Sequence, residues 1–82
     1  MPDILDMQKA VGEAILGARV SYDTYTWMTD VDFVACPRVT IGVERDEQLH
    51  QCYIAFHPDA WREFVTPEFI VKWALLELEQ VL

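Results

Sequence analysis

The chain has few of the residues on which phosphate, nucleic-acid and anionic membrane sites depend. Its 82 residues include only three glycines, at positions 12, 17 and 42, so a glycine-rich phosphate-binding loop is excluded. Six Lys and Arg residues against 14 Asp and Glu residues give a formal net charge of −8. Because nucleic acids and anionic membranes attract basic surfaces, we expect neither direct nucleic-acid binding nor membrane binding.

Cysteines and long apolar runs are also scarce. Two cysteines, Cys36 and Cys52, are too few for a disulfide framework. No apolar run approaches the roughly 20 residues that a membrane-spanning helix requires. The first residues lack the positive charge and apolar stretch of a secretory signal peptide. These absences favour a cytoplasmic protein with free thiols and one domain, residues 1–82.

The sequence shows no established catalytic or metal-binding motif. His50 and Cys52 share a strand face by their spacing, and Cys36 and His57 offer further ligands for a Cys/His site. No CxxC or HxxxH pair accompanies them. We therefore predict a non-enzymatic protein with no cofactor, no catalytic residue and no bound metal. A small Cys/His metal protein or enzyme is the second alternative.

Apolar residues, by contrast, make up 52% of the chain. Between residues 39 and 43 they alternate with polar or small residues, the period-two pattern of a half-buried strand. The polar run at 46–48 favours a turn, and β-branched and aromatic residues are dense on both sides of it. We predict a hairpin with strands at 38–45 and 49–56, one face of which the rest of the chain covers.

A third strand is predicted at residues 20–28, where β-propensity is again high. Tyr22 differs in parity from Tyr25 and Trp27, so these three side chains cannot all face one core. One face of the sheet is therefore expected to carry exposed aromatic residues. Residues 29–37 are predicted to form either a short strand or a connecting loop.

Helices are predicted at both ends of the chain. Asp3 is a suitable N-cap for an amphipathic helix over 3–16, and Thr66 caps a second helix over 67–81. A single helical turn is expected at 60–64. The sequence thus predicts an α+β fold in which helices pack on one face of a three-stranded, mainly antiparallel sheet, in the order α-β-β-β-α.

The predicted last helix is apolar over most of its circumference. Beyond its main apolar arc, a second ridge contains Phe69, Trp73 and Leu76. A helix of this kind is normally buried on more than one side. Either the short turn at 60–64 covers this ridge, or another chain covers it in a homodimer or partner complex.

Aromatic and acidic residues are interspersed across 22–32, which suits a surface that contacts Lys and Arg of a partner protein. In size, acidity and absence of a catalytic motif, the chain resembles phage-encoded anti-CRISPR and anti-restriction proteins, and the resemblance is one of class. It implies an inhibitor that binds the basic surface of a nucleic-acid-binding complex. The predicted contact residues are Asp23, Tyr25, Trp27, Asp30, Asp32, Glu44, Asp46 and Glu47.

The first alternative function depends on the last helix. A dimeric adaptor, assembly factor or secretion-type chaperone would dimerise through the ridge of Phe69, Trp73 and Leu76 and use its acidic residues for solubility.

Overall fold

The computed structural model describes residues 2–82, which form three strands and three helices. The three strands make one antiparallel sheet in the order β1-β2-β3, and each strand pairs with the next one along the chain. The predicted α+β fold and its order of elements are therefore confirmed. The elements are α1 (Ile4–Ala14), β1 (Arg19–Met28), β2 (Phe33–Arg45), β3 (Gln48–Ala55), α2 (Trp61–Phe64) and α3 (Pro67–Glu77).

Both long helices begin at the predicted caps. The Asp3 Oδ1 atom accepts a hydrogen bond from the Leu5 N–H at 2.8 Å, and Thr66 Oγ1 accepts one from the Phe69 N–H at 3.2 Å. Each bond satisfies one of the N–H groups that the first turn of a helix leaves without a backbone partner. Pro67 follows the second cap at the first helical position, where its fixed φ favours the helix.

Both helices end earlier than the periodicity of their apolar residues predicts. α1 ends at Ala14, and Gly17 then adopts a φ of 82°, a left-handed conformation that glycine takes without steric cost. α3 ends at Glu77, and the chain continues in turns that keep Leu78 buried. Apolar residues beyond the helix end therefore pack on the core without being helical.

The hydrophobic core lies between one face of the sheet and the helices α1 and α3. Its centre is Ile41 of β2, which is fully buried along with its neighbours on the same face, Val39 and Val43. Burying side chains of this size contributes roughly 1.5–3 kcal/mol each. The core consists of Met7, Val11, Ile15, Ala18, Val39, Ile41, Val43, Phe56, Val65, Ile70, Ala74 and Leu78.

Strand β2 begins at Phe33, so the prediction of a strand that starts at residue 38 was wrong. Pro37 lies inside the strand, opposite the end of β3, where the Phe56 N–H donates to the Pro37 carbonyl at 2.9 Å. In an antiparallel strand the N–H and C=O of one residue point to the same side. The missing N–H of Pro37 therefore faces Phe56, just beyond the last residue of β3, and the ladder with β1 keeps its bonds.

The hairpin of β1 and β2 extends beyond the helices. A strand of 13 residues spans roughly 40 Å, close to the longest dimension of 43 Å, whereas a helix of 11 residues spans only about 16 Å. Residues 23–36, here called the arm, form the end of this hairpin. Large apolar side chains of the arm are exposed on both faces, Trp27 at 55% on one face and Phe33 at 66% on the other, and Val31 in the connecting loop is 94% exposed.

Candidate functional site

The sheet face opposite the helices, here called the outer face, carries Tyr25 and Trp27. Both side chains are exposed, Trp27 at 55%, whereas Tyr22 packs against the core on the inner face. The predicted division of these aromatic residues between two faces is confirmed. In the part of the chain that the structure describes, no helix lies over the outer face of the arm, so the two aromatic side chains are available to a partner.

A single cation, Arg38, organises the base of the arm. Its Nε donates to Asp23 Oδ1 at 2.7 Å, and its Nη2 pairs with the other carboxylate oxygen. The guanidinium carbon lies 5.9 Å from the ring centre of Tyr25 and 5.3 Å from that of Tyr53, within the range of cation–π contacts. The Arg38 hydrogen bond lowers the pKa of Asp23. Asp23 therefore holds Arg38 in place and offers less net charge to a partner than the sequence suggests.

The tip of the arm is a compact loop with two carboxylates. Thr29 Oγ1 accepts from the Asp32 N–H at 3.0 Å, and Asp32 Oδ1 accepts from the Phe33 N–H at 2.7 Å. Asp32 thus stabilises the loop, while Asp30 and Val31 are exposed. The structure places the predicted contact residues Asp23, Tyr25, Trp27, Asp30 and Asp32 together on the arm.

The other predicted acidic residues lie at the opposite end of β2. Asp46 and Glu47 form the two-residue turn between β2 and β3, with φ values of 55° and 66°, and Glu44 is exposed next to it. Most of the 43 Å length of the molecule separates them from the arm tip. The predicted contact residues therefore form two distinct acidic ends rather than one surface.

The ridge on α3 is covered at one end only. The Phe69 ring contacts Phe64 of α2 and Phe56, with ring centres 6.0 Å and 6.2 Å apart. Leu76, at the other end, is 66% exposed. With Lys72, the predicted residues Phe69, Trp73 and Leu76 line a groove of about 320 Å³. α2 therefore covers part of the ridge, and the Leu76 end is open to a second chain.

The four Cys and His residues do not converge. Cys36 lies beside Tyr25 on the outer face, whereas Cys52 faces the helices. Burial, and secondly the charge of Glu77, raise the pKa of Cys52 to about 11, so its thiol is protonated at neutral pH and a weak nucleophile. Within residues 2–82, no three His, Cys, Asp or Glu side chains are placed to hold a metal ion.

A second depression lies on the outer face around Gly42, which pairs with Arg19 on one side and Gln51 on the other. The cavity has a volume of about 450 Å³, and the hydroxyl-bearing residues Ser21 and Thr40 are part of its lining. The pairing of β2 with both neighbouring strands is continuous through Gly42, without a bulge. A Cβ here would meet Gln51 Cγ at 3.4 Å, an ordinary contact distance.

Gln8 connects α1 to the edge of the sheet, although the apolar periodicity of α1 places it on the polar side of the helix. Its Nε2 donates to the Ala18 carbonyl, and its Oε1 accepts from the Val20 N–H, both at 2.8 Å. The side-chain amide thus pairs with the open edge of the sheet as a neighbouring strand would. Nearby, burial and the charge of Asp3 raise the pKa of Tyr22, whose buried hydroxyl has no hydrogen-bond partner within residues 2–82.

No protein-family model matches the chain, and neither a curated protein nor a solved structure matches it. Among the helices formed by residues 2–82, none is both long enough and apolar enough to cross a membrane. The chemistry of the exposed surfaces therefore carries the functional conclusion.

Proposed function

We propose that this protein is a small, acidic, non-enzymatic protein that binds another protein through its arm. The observation that supports this function is the exposure of Tyr25 and Trp27 on the outer face, next to the acidic tip. Tyr and Trp are the residue types that most often dominate the energetics of protein interfaces. The net charge of −8 and the exposed Asp30 favour a partner with a basic surface.

The sharper form of the proposal is an inhibitor that occupies a cationic groove of a nucleic-acid-binding complex. This is the mode of action implied by the resemblance in size and acidity to anti-CRISPR and anti-restriction proteins. The shape of the arm supports it, because two strands about 4.8 Å apart form a narrow projection with carboxylates at its end. Asp30 and Asp32 would lie where nucleic-acid phosphates bind.

The experiment compares two double variants with equal charge changes at opposite ends of the molecule. The tip variant combines Asp30→Lys with Asp32→Asn, because asparagine keeps the oxygen that accepts the Phe33 N–H. The turn variant combines Asp46→Asn with Glu47→Lys. Each change of +3 turns the net charge of −8 into −5, so a difference between the variants reports position and not total charge.

The readout is a pull-down from lysate of the source organism or its host, treated with nuclease, at low and high salt. We expect the native chain and the turn variant to retain one basic nucleic-acid-binding complex at low salt, and the tip variant to lose it. High salt should release the complex, since exposed charges are screened. Loss in the turn variant alone, or equal retention by both variants, would overturn binding through the arm tip.

The exposed Leu76 end of the α3 ridge favours a second candidate function, a dimeric adaptor, assembly factor or chaperone. In this case the ridge of one chain packs on that of another. Leu76→Glu tests it, because Leu76 is exposed and its replacement leaves the core intact. Conversion of a stable dimer to a monomer by Leu76→Glu, measured by light scattering, would support this function, and an unchanged mass would exclude it.

A further inference from the structure

The free edge of β1 is open along the arm. The bond from the Phe56 N–H to the Pro37 carbonyl shows that odd-numbered residues of β2 face β3. Even-numbered residues of β2 therefore bond to β1, where their partners are odd-numbered. It follows that even-numbered residues of β1 direct their N–H and C=O groups away from the sheet. In the arm and its base these are Tyr22, Thr24, Thr26 and Met28.

The same edge is closed where β1 begins. Gln8 forms hydrogen bonds with the Val20 N–H and the neighbouring Ala18 carbonyl, so the open part of the edge starts at Tyr22. Residues 22–28 contain no proline, glycine or lysine, the residues that commonly protect an exposed edge from pairing. Asp23 is their one charged residue, and Arg38 binds it. This segment therefore has the composition of an edge that pairs with another strand.

We propose that two copies of this chain pair along this edge, antiparallel and related by a two-fold axis at Tyr25, to form a continuous six-stranded sheet. In this register Tyr22 lies opposite Met28 of the second copy, and Thr24 lies opposite Thr26. Every backbone N–H and C=O group on the open edge then has a hydrogen-bond partner, and Gln8 keeps its hydrogen bonds to Ala18 and Val20. Registers shifted by two residues either displace Gln8 or leave open positions unpaired.

The side chains that meet in this register are compatible. On the outer face the two Tyr25 side chains are direct neighbours, and on the inner face Thr24 meets Thr26 and Tyr22 meets Met28. Aromatic, threonine and apolar pairs of this kind stabilise neighbouring antiparallel strands. Asp23 lies opposite Trp27 of the second copy, so no two carboxylates oppose each other directly despite the net charge of −8.

The pairing also covers the bare inner face of the arm. Ile4 and Leu5 lie four and three residues before Gln8 and share its side of α1, which faces the β1 edge. Both are exposed, Leu5 at 75%. Met28 of the second copy lies opposite Tyr22 and therefore next to Ile4 and Leu5. A two-stranded hairpin is marginally stable by itself in water, and the added strands and helix supply the support that it lacks.

Charge complementarity favours a second copy as the occupant. The register carries the loop of the second copy past Val20, so its Asp30 and Asp32 approach Arg19. Arg19 is exposed and makes no ion pair among residues 2–82. Each copy therefore supplies acidic residues to one end of the interface and an arginine to the other, and the two-fold symmetry produces both contacts. The dimer occupies the arm tips, so binding of the basic partner proposed above requires the two copies to separate.

The first test is the mass of the full chain in solution over a wide range of concentrations, by light scattering and sedimentation. Thr24→Pro removes an N–H that points to the open edge and leaves the ladder with β2 intact. The matched control is Gln51→Pro, which removes an edge N–H from β3 on the other side of the sheet. We expect the native chain and the control to dimerise, and Thr24→Pro to raise the dimer dissociation constant by about tenfold or more.

A second variant avoids any effect of proline on folding. Met28 is exposed in the single chain, so Met28→Lys should leave the fold intact, as circular dichroism would verify, and still weaken the dimer. A native chain that is monomeric at all concentrations would overturn the proposal. So would a dimer that Thr24→Pro and Met28→Lys leave unchanged and Leu76→Glu breaks, which would place the interface on α3.

A cross-link tests the register itself. At the two-fold axis Tyr25 faces its own copy in a non-hydrogen-bonded pair, with Cα atoms about 4.5 Å apart, close enough for a disulfide. With Cys36→Ala and Cys52→Ala to prevent other pairings, Tyr25→Cys should form a disulfide-linked dimer under mild oxidation. Tyr53→Cys, exposed on the same face, should not. Equal cross-linking of both variants, or of neither, would contradict this register.

Discussion

Helices cover one end of strand β2 and leave the other end exposed, although both ends contain apolar residues. In the body of the molecule Val39, Ile41 and Val43 are buried beneath α1 and α3, whereas in the arm Phe33 is 66% exposed. Apolar character alone therefore does not decide which residues are buried here. The lengths of the elements decide it, because each long helix is only roughly 16 Å long, whereas the strand spans roughly 40 Å.

This difference assigns separate roles to the two regions. The body contains the core, and its burial stabilises the fold. The arm adds little to that core and leaves aromatic and apolar side chains in water. An exposed apolar surface of this kind usually marks an interaction site.

The largest contrast is expected between truncations in the two regions. Ile41→Ala should lower the free energy of unfolding by about 2–5 kcal/mol, because it leaves a cavity in the core. Phe33→Ala should change it by less than about 0.5 kcal/mol. Urea unfolding at low protein concentration, where the chain is monomeric, measures both. Equal losses would mean that the arm packs on the body in solution.

Gln8→Ala would open the edge of β1 in the body of the molecule, as it is already open in the arm. The Ala18 carbonyl and the Val20 N–H would lose their partner, at a cost of about 1–3 kcal/mol. Lys9→Ala, on the exposed side of α1, is the control and should have little effect. Hydrogen exchange at Val20 should quicken in the first variant only, and unchanged exchange there would argue against the edge-closing role of Gln8.

The turn at the body end of β2 offers a stabilising change. Glu47 adopts a φ of 66°, a left-handed conformation that costs a residue with a side chain about 1–2 kcal/mol. Glu47→Gly should therefore raise the unfolding free energy by about 1 kcal/mol. Glu44→Gly, within the strand, should lower it by about 0.5–1 kcal/mol. A loss of stability in Glu47→Gly would show that its side chain makes a stabilising contact.

The smallest expected effect is electrostatic and lies at the base of the arm. Arg38 lowers the pKa of Asp23, so this ion pair stabilises the fold above the ordinary carboxyl pKa of 3.8 and stops doing so as the pH falls through the lowered value. Asp23→Asn should flatten the acid side of the curve of stability against pH. Arg38→Gln should do the same, and the double variant should add nothing further. Additive effects would indicate independent roles.

The sequence predicted the helix caps and the hairpin turn because their local chemistry suffices to specify them. Asp3, Thr66 and Pro67 act within one helical turn, and the polar residues at 46–48 mark a two-residue turn. The start of β2 was missed because Pro37 normally ends a strand. It is tolerated here only because β3 stops beside it, and that is a property of the assembled sheet.

Sequence reasoning placed the predicted contact residues less well than the fold. Parity separated Tyr22 from Tyr25 and Trp27 correctly, but spacing along the chain gave no sign that the acidic groups lie at opposite ends of one long strand. Arg38 and Gln8 were missed as well. Arg38 finds Asp23 across a strand pair, and Gln8 finds an edge that exists only after folding, so neither has a local pattern.

The two cysteines lie on opposite faces of the sheet, so labelling of their thiols can follow local motions of the native chain. Neither forms a disulfide, and each thiol is shielded by different neighbours. Cys52 is partly buried against the core on the helix side, whereas Cys36 is buried, so its reaction with a thiol reagent requires the outer-face side chains to move aside. The two labelling rates would thus report separately on the two faces of the sheet.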